Sequence, residues 1–187
     1  MPQSVFFIAI VLIMASTAGA QEAVRMRGTH QHGHGTVNLA IEGNTVLIEL
    51  HAPGADIVGF EHPARTEDDR KAVEQARTML HDPLALFAMP SAAGCRVEKA
   101  TVAMASDAGH GQHEQEHAQA GQDGHMEFHA EYALHCDRPA AVQRLDFPFF
   151  RLFPRSRELA VTVITDRGQM TYEVGRDTPA VALQPAR

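Results

Sequence analysis

The sequence predicts an α+β fold: a sheet-dominated single domain of antiparallel β-hairpins, with one or two packed helices and a flexible histidine-rich loop. Three observations lead to this fold class. Several short segments alternate apolar and polar residues, turn residues join these segments in pairs, and one segment has the apolar spacing of an amphipathic helix.

Two hairpins are predicted from the alternation. Within residues 36–50 every second side chain of each half is apolar, and Gly43-Asn44 supplies a tight turn between the halves. Residues 159–175 repeat this pattern around a turn that ends at Gly168. The first hairpin should bury the face that carries its apolar residues.

One helix is predicted at residues 67–81. Thr66 and Asp69 have the spacing of a capping box, the first turn is acidic, and apolar residues fall at helical spacing. A second, short helix should follow Asp82-Pro83. These are the one or two helices that we expect to pack against the sheet.

Two further segments lie towards the C-terminus. Residues 145–154 contain four phenylalanines and should pack against the sheet. Residues 176–187 have no clear strand or helix pattern, so we expect a ragged, solvent-exposed tail.

A third hairpin should carry the only two cysteines. Residues 94–104 and 125–136 resemble strands, and the second has an apolar face and a face of histidines and glutamates. If Cys95 faces Cys136, a disulfide closes the pair and stabilises the fold by roughly 4 kcal/mol in the chain-entropy model. That register pairs Val97 with Leu134, Thr101 with Ala130 and Met104 with Glu127. The alternative, two thiolate metal ligands, is less compatible with export.

The tip of this hairpin, residues 105–124, is expected to be a flexible insert. It contains no aromatic residue and no Val, Leu, Ile or Met, so it cannot bury enough apolar surface to fold alone. It includes HEQEH, residues 113–117, which matches the H-E-x-x-H motif of zinc proteases. Glycines flank the motif and nothing apolar larger than alanine could hold it in a core, so we interpret the match as a coincidence in a metal-binding tract. A zinc-dependent hydrolase is the enzymatic alternative.

The N-terminus predicts export. Residues 5–15 are an apolar run too short to span a bilayer comfortably, and small residues precede a cleavage position near Ala20. Residues 1–20 are therefore expected to be a signal peptide and residues 21–187 a single domain. The formal net charge of −7 at pH 7 argues against nucleic-acid binding.

Twelve histidines in an acidic exported chain favour a divalent metal. Imidazole and carboxylate donors suit Zn²⁺ best, and Cu²⁺ and Ni²⁺ accept the same donors. We interpret His51, His62 and His81 as ordinary surface or turn residues. The predicted metal ligands are His30, His32 and His34 near the N-terminus, which on a strand would share one face, His110, His113 and His117 in the insert, and His125 and His129 on the polar strand face.

Three motifs occur together in this chain: an H-x-H-G opening, an IVGFEH segment and a GC…C pair that brackets a histidine-rich loop. With these motifs the chain resembles the ZrgA-like zinc-regulated periplasmic proteins of Gram-negative bacteria, and the resemblance covers nearly the whole mature chain. It implies an exported protein that binds zinc and serves zinc acquisition. His32 and His34 match the opening, and His110, His113 and His117 match the loop.

We therefore expect a non-enzymatic periplasmic protein that captures zinc and passes it to a zinc uptake transporter or its solute-binding protein, or buffers it. A metal-independent envelope protein, in which the insert is only a spacer, is the remaining alternative. The sequence does not determine the oligomeric state.

Overall fold

The computed structural model describes residues 32–106 and 125–183. It confirms a sheet-dominated α+β fold. The strands are β1 (His34–Glu42), β2 (Thr45–Pro53), β3 (Cys95–Ser106), β4 (Met126–Cys136), β5 (Arg144–Asp146), β6 (Glu158–Thr165), β7 (Gly168–Gly175) and β8 (Ala180–Ala182). The α-helices are α1 (Gly54–Ile57), α2 (Glu67–Leu80), α3 (Pro83–Leu86) and α4 (Phe149–Leu152).

The main sheet has six strands in the order β3-β4-β2-β1-β6-β7. The three predicted hairpins, β1–β2, β3–β4 and β6–β7, are all present. They are joined by an antiparallel β2–β4 pair and a parallel β1–β6 pair. Neither joint was predicted, because local alternation describes a strand and its turn but not its neighbour from a distant part of the chain.

One face of the sheet is buried and the other is open to solvent. On β4 the side chains alternate between the two faces, so Phe128 and Tyr132 are buried while His129 and Glu131 point to the other side. The Tyr132 hydroxyl donates a hydrogen bond of 2.7 Å to the Leu80 carbonyl oxygen. Helix α2 therefore covers the buried face, and the opposite face stays open.

Helices α2 and α3 follow the sequence prediction closely, whereas the one-turn helices α1 and α4 were not predicted. Thr66 caps α2 by accepting a hydrogen bond from Asp69 N, and the Asp69 carboxylate accepts one from Thr66 N. This reciprocal pair is the predicted capping box. The four phenylalanines of residues 145–154 are buried, as predicted, and Phe149 stacks on Phe87 at 6.4 Å between ring centroids.

The predicted β3–β4 register is correct at its disulfide end and wrong by one residue beyond it. Val97 does face Leu134, but an irregularity between Val97 and Lys99 inserts an extra residue into β3. The pairs that follow are Thr101 with Glu131, Val102 with Ala130 and Met104 with Phe128. A bulge of this kind shifts the register of one strand without changing which face the partner strand buries.

The prediction of an exposed C-terminal tail is also wrong for the described residues. Strand β8 pairs with β5 in a separate two-stranded sheet, and Val181 and Leu183 are each only 7 % exposed. Two alternating apolar side chains are too short a pattern to be distinguished from an irregular tail in the sequence. The described ranges contain no helix that is both long and apolar enough to cross a membrane.

Gly54 fixes the geometry where β2 ends. A Cβ atom there would lie 2.6 Å from the Phe60 carbonyl oxygen and 2.8 Å from that of Met126. This close backbone approach holds the segment containing Glu61 beside the start of β4, where Met126 N donates a hydrogen bond of 2.9 Å to the Glu61 carbonyl oxygen.

We expect Gly54→Ala to lower the free energy of unfolding by about 1–3 kcal/mol, because the added methyl group forces two backbone segments apart. Urea denaturation measures this change. Gly175→Ala is the matched control, since a Cβ atom there meets no atom within 4 Å. Equal stability of both variants would show that the Gly54 contact is not a constraint.

Candidate metal centre

The open face of the sheet brings polar side chains of β2 and β4 together. The two strands pair so that His51 lies directly opposite His129 and Glu49 directly opposite Glu131. Directly opposite residues of an antiparallel pair have Cβ atoms about 4.5–5.5 Å apart. The strand pairing itself therefore places two imidazoles within reach of one ion.

Glu49, His51 and His129 form a compact cluster, which we call the β2–β4 site. Glu49 Oε1 lies 3.2 Å from His51 Nε2 and 3.1 Å from His129 Nε2. The two imidazole rings stack with centroids 4.2 Å apart and planes inclined by 20°. One ligand atom from each residue lies within 4.8 Å of the others, and no other three acidic, histidine or cysteine side chains in residues 32–106 and 125–183 meet this distance.

Hydrogen bonds keep the Glu49 carboxylate ionised. Asn38 Nδ2 donates to Glu49 Oε2 at 3.0 Å, and this bond is the main reason that the pKa of Glu49 lies below its ordinary value. His51 and His129 lower this pKa further, although partial burial opposes them. A metal ligand must be deprotonated, so the carboxylate is ready to bind at any pH at which the imidazoles are neutral.

Glu127 supports His51 from the other side of its ring. Its Oε1 lies 3.7 Å from His51 Nδ1, while the Nε2 edge faces Glu49. The Glu127 carboxylate and, after it, Glu49 raise the pKa of His51, although burial opposes this. A carboxylate behind a histidine ligand orients the ring and increases its basicity.

The donor set suits zinc. Two imidazole nitrogens and one carboxylate oxygen are common Zn²⁺ ligands, and a four-coordinate ion would keep one position for water or a further donor. The side chains of Glu49, His51 and His129 are 41 %, 33 % and 30 % exposed. An ion held by these three side chains would therefore be accessible from solvent.

His32 and His125, both predicted ligands, meet at a different place on the same side of the molecule. His32 Nε2 lies 3.0 Å from Glu61 Oε1, and His125 Nδ1 contacts Glu61 Oε2 at 2.5 Å. His34, by contrast, contacts Glu158 on β6 at 3.1 Å.

The expectation that His32 and His34 share one strand face is not met. Strand β1 begins only at His34, and Gly33 before it has a φ of +89°. That left-handed conformation turns the chain between the two histidines. The H-x-H-G opening therefore divides its described imidazoles between two different carboxylates.

The other predicted sites divide into two groups. His30, His110, His113 and His117 lie outside the described residues, as do the signal peptide and most of the insert. Cys95 and Cys136 form the predicted disulfide across the end of β3 and β4, so they are not thiolate ligands.

Sequence reasoning missed Glu49 and His51. His51 was interpreted as an ordinary surface residue because no other histidine lies near it in the chain, and Glu49 was not singled out. The structure places both beside His129. The available signal was that Glu49 and His51, two residues apart on β2, lie on its polar face. This signal becomes informative only once β2 is known to pair with β4.

A search of curated proteins found no match to the chain. A comparison with protein families did find one, and it agrees with a zinc-binding site. The family described as ZrgA family zinc uptake protein matches residues 29–183, a range that includes every described strand and helix. The chain therefore belongs to the ZrgA family of zinc uptake proteins.

Proposed function

We propose that this protein is a non-enzymatic periplasmic zinc-binding protein that acquires or buffers Zn²⁺, and that Glu49, His51 and His129 hold the ion. The observation that carries the proposal is the convergence of one carboxylate and two imidazoles within 4.8 Å on the open sheet face. The zinc uptake role of the family supports zinc as the ion. Cu²⁺ and Ni²⁺ would compete for the same donors in solution, because affinity alone does not exclude them.

The exposure of the β2–β4 site favours capture and transfer over catalysis. Catalytic zinc sites depend on a shaped, water-excluding cavity around the open coordination position. The three ligands here lie on a strand surface and are each about one-third exposed. A second protein could therefore approach the ion directly and take it, as transfer to an uptake transporter or its solute-binding protein requires.

The periplasmic location and the contribution of the insert are parts of the same proposal. A disulfide and a role in zinc uptake both favour a compartment outside the cytoplasm. His110, His113 and His117, together with His30, would increase the number of imidazoles available to capture zinc. Histidine-rich tracts of this composition commonly bind metal.

A His51→Ala/His129→Ala variant tests the site. Removing two of three ligands should weaken binding of one zinc equivalent by at least roughly 100-fold, because second-shell losses alone cost 10- to 100-fold. Competition with a chromophoric chelator of known affinity measures this change.

His81→Ala is the matched control. His81 is exposed and follows α2 on the covered side of the sheet, so its loss should leave every zinc equivalent unchanged. If the double variant bound zinc as the wild type and this control do, the β2–β4 site would not be a zinc site.

A further inference from the structure

A second group of potential zinc ligands surrounds Glu61, which precedes α2 and lies beside the start of β4. Its side chain is only 12 % exposed, whereas the imidazoles of His32 and His125 on either side of it are 66 % and 63 % exposed. Each carboxylate oxygen faces one imidazole: Oε1 faces His32 Nε2 at 3.0 Å and Oε2 faces His125 Nδ1. The group, which we call the Glu61 site, therefore offers two nitrogens and two oxygens.

The Glu61 carboxylate is held in place but not satisfied. Glu61 Oε1 is buried and makes no hydrogen bond, although His32 Nε2 lies 3.0 Å away. Burial raises the pKa of Glu61, but His125 and His32 outweigh this effect and leave the pKa below its ordinary value. A buried ionised oxygen without a donor is costly unless a cation or donor compensates it.

Asp56 provides an independent observation at the same place. It is 3 % exposed, and its Oδ1 accepts a hydrogen bond of 2.7 Å from Gly33 N, while its Oδ2 is buried without any hydrogen bond. Burial raises the pKa of Asp56, although the hydrogen bond from Gly33 and the nearby His32 imidazole oppose this. Two carboxylates, each with one buried oxygen that lacks a hydrogen bond, therefore lie near His32, and a divalent cation would stabilise them.

The scaffold of the Glu61 site is rigid. The Asp56–Gly33 hydrogen bond and the bonds from Arg157 N and Glu158 N to the Gly33 carbonyl oxygen fix the turn that carries His32. The Met126 N to Glu61 O bond fixes Glu61 beside His125. The ligand atoms of this group are more widely spaced than those of the β2–β4 site, so binding requires a rotation of the largely exposed imidazoles of His32 and His125.

The two groups lie along one strand of the open face. On β4 and the residue before it, His125, Glu127 and His129 point to the same side, so the Cα atoms of His125 and His129 are roughly 13 Å apart. Glu127 lies between them and contacts His51 at 3.7 Å. This spacing is too long for one ion and suits two separate ions with a carboxylate between them.

We propose that His32, Glu61 and His125 bind a second Zn²⁺ ion, in a site separate from Glu49, His51 and His129. The second site extends the proposed zinc-binding function and rests on it only for the identity of the ion. In this proposal the H-x-H-G opening and the IVGFEH segment contribute ligands to the same ion, His32 from the first and Glu61 from the second.

Zinc stoichiometry and histidine NMR together test this proposal on the full mature chain. Glu61→Gln removes the charge and keeps the shape, and His125→Ala removes an imidazole that is largely exposed. Each should lose about one zinc equivalent by calorimetry, while His81→Ala loses none. In the His51→Ala/His129→Ala background, the imidazole resonances of His32 and His125 should still shift when Zn²⁺ is added.

Additivity decides between one site and two. Combining His125→Ala with His51→Ala/His129→Ala should remove about two equivalents. The proposal is overturned if Glu61→Gln and His125→Ala keep the wild-type stoichiometry, or if the combined variant binds as much zinc as the His51→Ala/His129→Ala variant. If Glu61→Gln and His125→Ala each lose one zinc equivalent but His51→Ala/His129→Ala keeps the wild-type stoichiometry, the Glu61 site is supported and the β2–β4 site of the proposed function is not a zinc site.

Discussion

As the pH is lowered, zinc affinity at the β2–β4 site is expected to begin to decrease while the pH is still above 6.5. At acidic pH it should decrease by roughly ten- to a hundredfold per pH unit, because one or two imidazoles must each release a proton to bind. The pKa of His51 is raised above its ordinary value of 6.5 by Glu127 and Glu49. In the ion-free protein, His51 therefore binds its proton more tightly than an ordinary histidine does. Protons consequently start to compete with zinc for His51 at a higher pH. Glu49, whose pKa is lowered, stays ionised throughout this range.

Chelator competition between pH 8 and pH 5.5 measures the effect. Glu127→Gln is the informative control, because Glu127 is the largest cause of the raised His51 pKa. In this variant the fall should begin at a lower pH, while the steep decrease in acid remains. Affinity that does not change between pH 7.5 and pH 5.5 would exclude imidazole ligands.

Loss of the disulfide is expected to lower the free energy of unfolding by about 4 kcal/mol. Cys95 and Cys136 are separated by 41 positions in sequence, and the cross-link removes the entropy of closing this loop from the unfolded chain. A Cys95→Ser/Cys136→Ser variant, followed by urea denaturation without reductant, measures the difference.

Reductant provides the control for this measurement. Added to the wild type, it should reproduce the loss, and added to the double-serine variant it should change nothing further. The β2–β4 site lies on strands that remain paired, so folded double-serine protein should bind zinc there as before. A stability loss below about 1 kcal/mol would contradict the loop-entropy argument.

Local features of the fold could be predicted from the sequence because each depends on neighbouring residues. Thr66 and Asp69 define the start of α2 by a contact three residues apart. The turns of the β1–β2 and β6–β7 hairpins lie at short glycine-containing segments. The Cys95–Cys136 pair sets the β3–β4 register beside the disulfide. The polar face of β4, with His125 and His129, follows from alternation alone.

The assembly of the metal centre could not be predicted in the same way. It depends on β2 lying between β1 and β4, which brings His51 from one hairpin to His129 of another. Glu61 reaches His125 across a separation of 64 residues. Side-chain periodicity contains no information about which of several compatible strands become neighbours, so the carboxylate ligands were the residues least visible in the sequence.

The pairing of Ser106 with Met126 at the end of β3–β4 has a consequence for variation. Residues that face each other across antiparallel strands have Cα atoms about 5 Å apart. Whatever chain joins these two positions leaves and re-enters the sheet at nearly one point. Relatives, or an engineer, can lengthen, shorten or rewrite that connection without moving Glu49, His51 or His129.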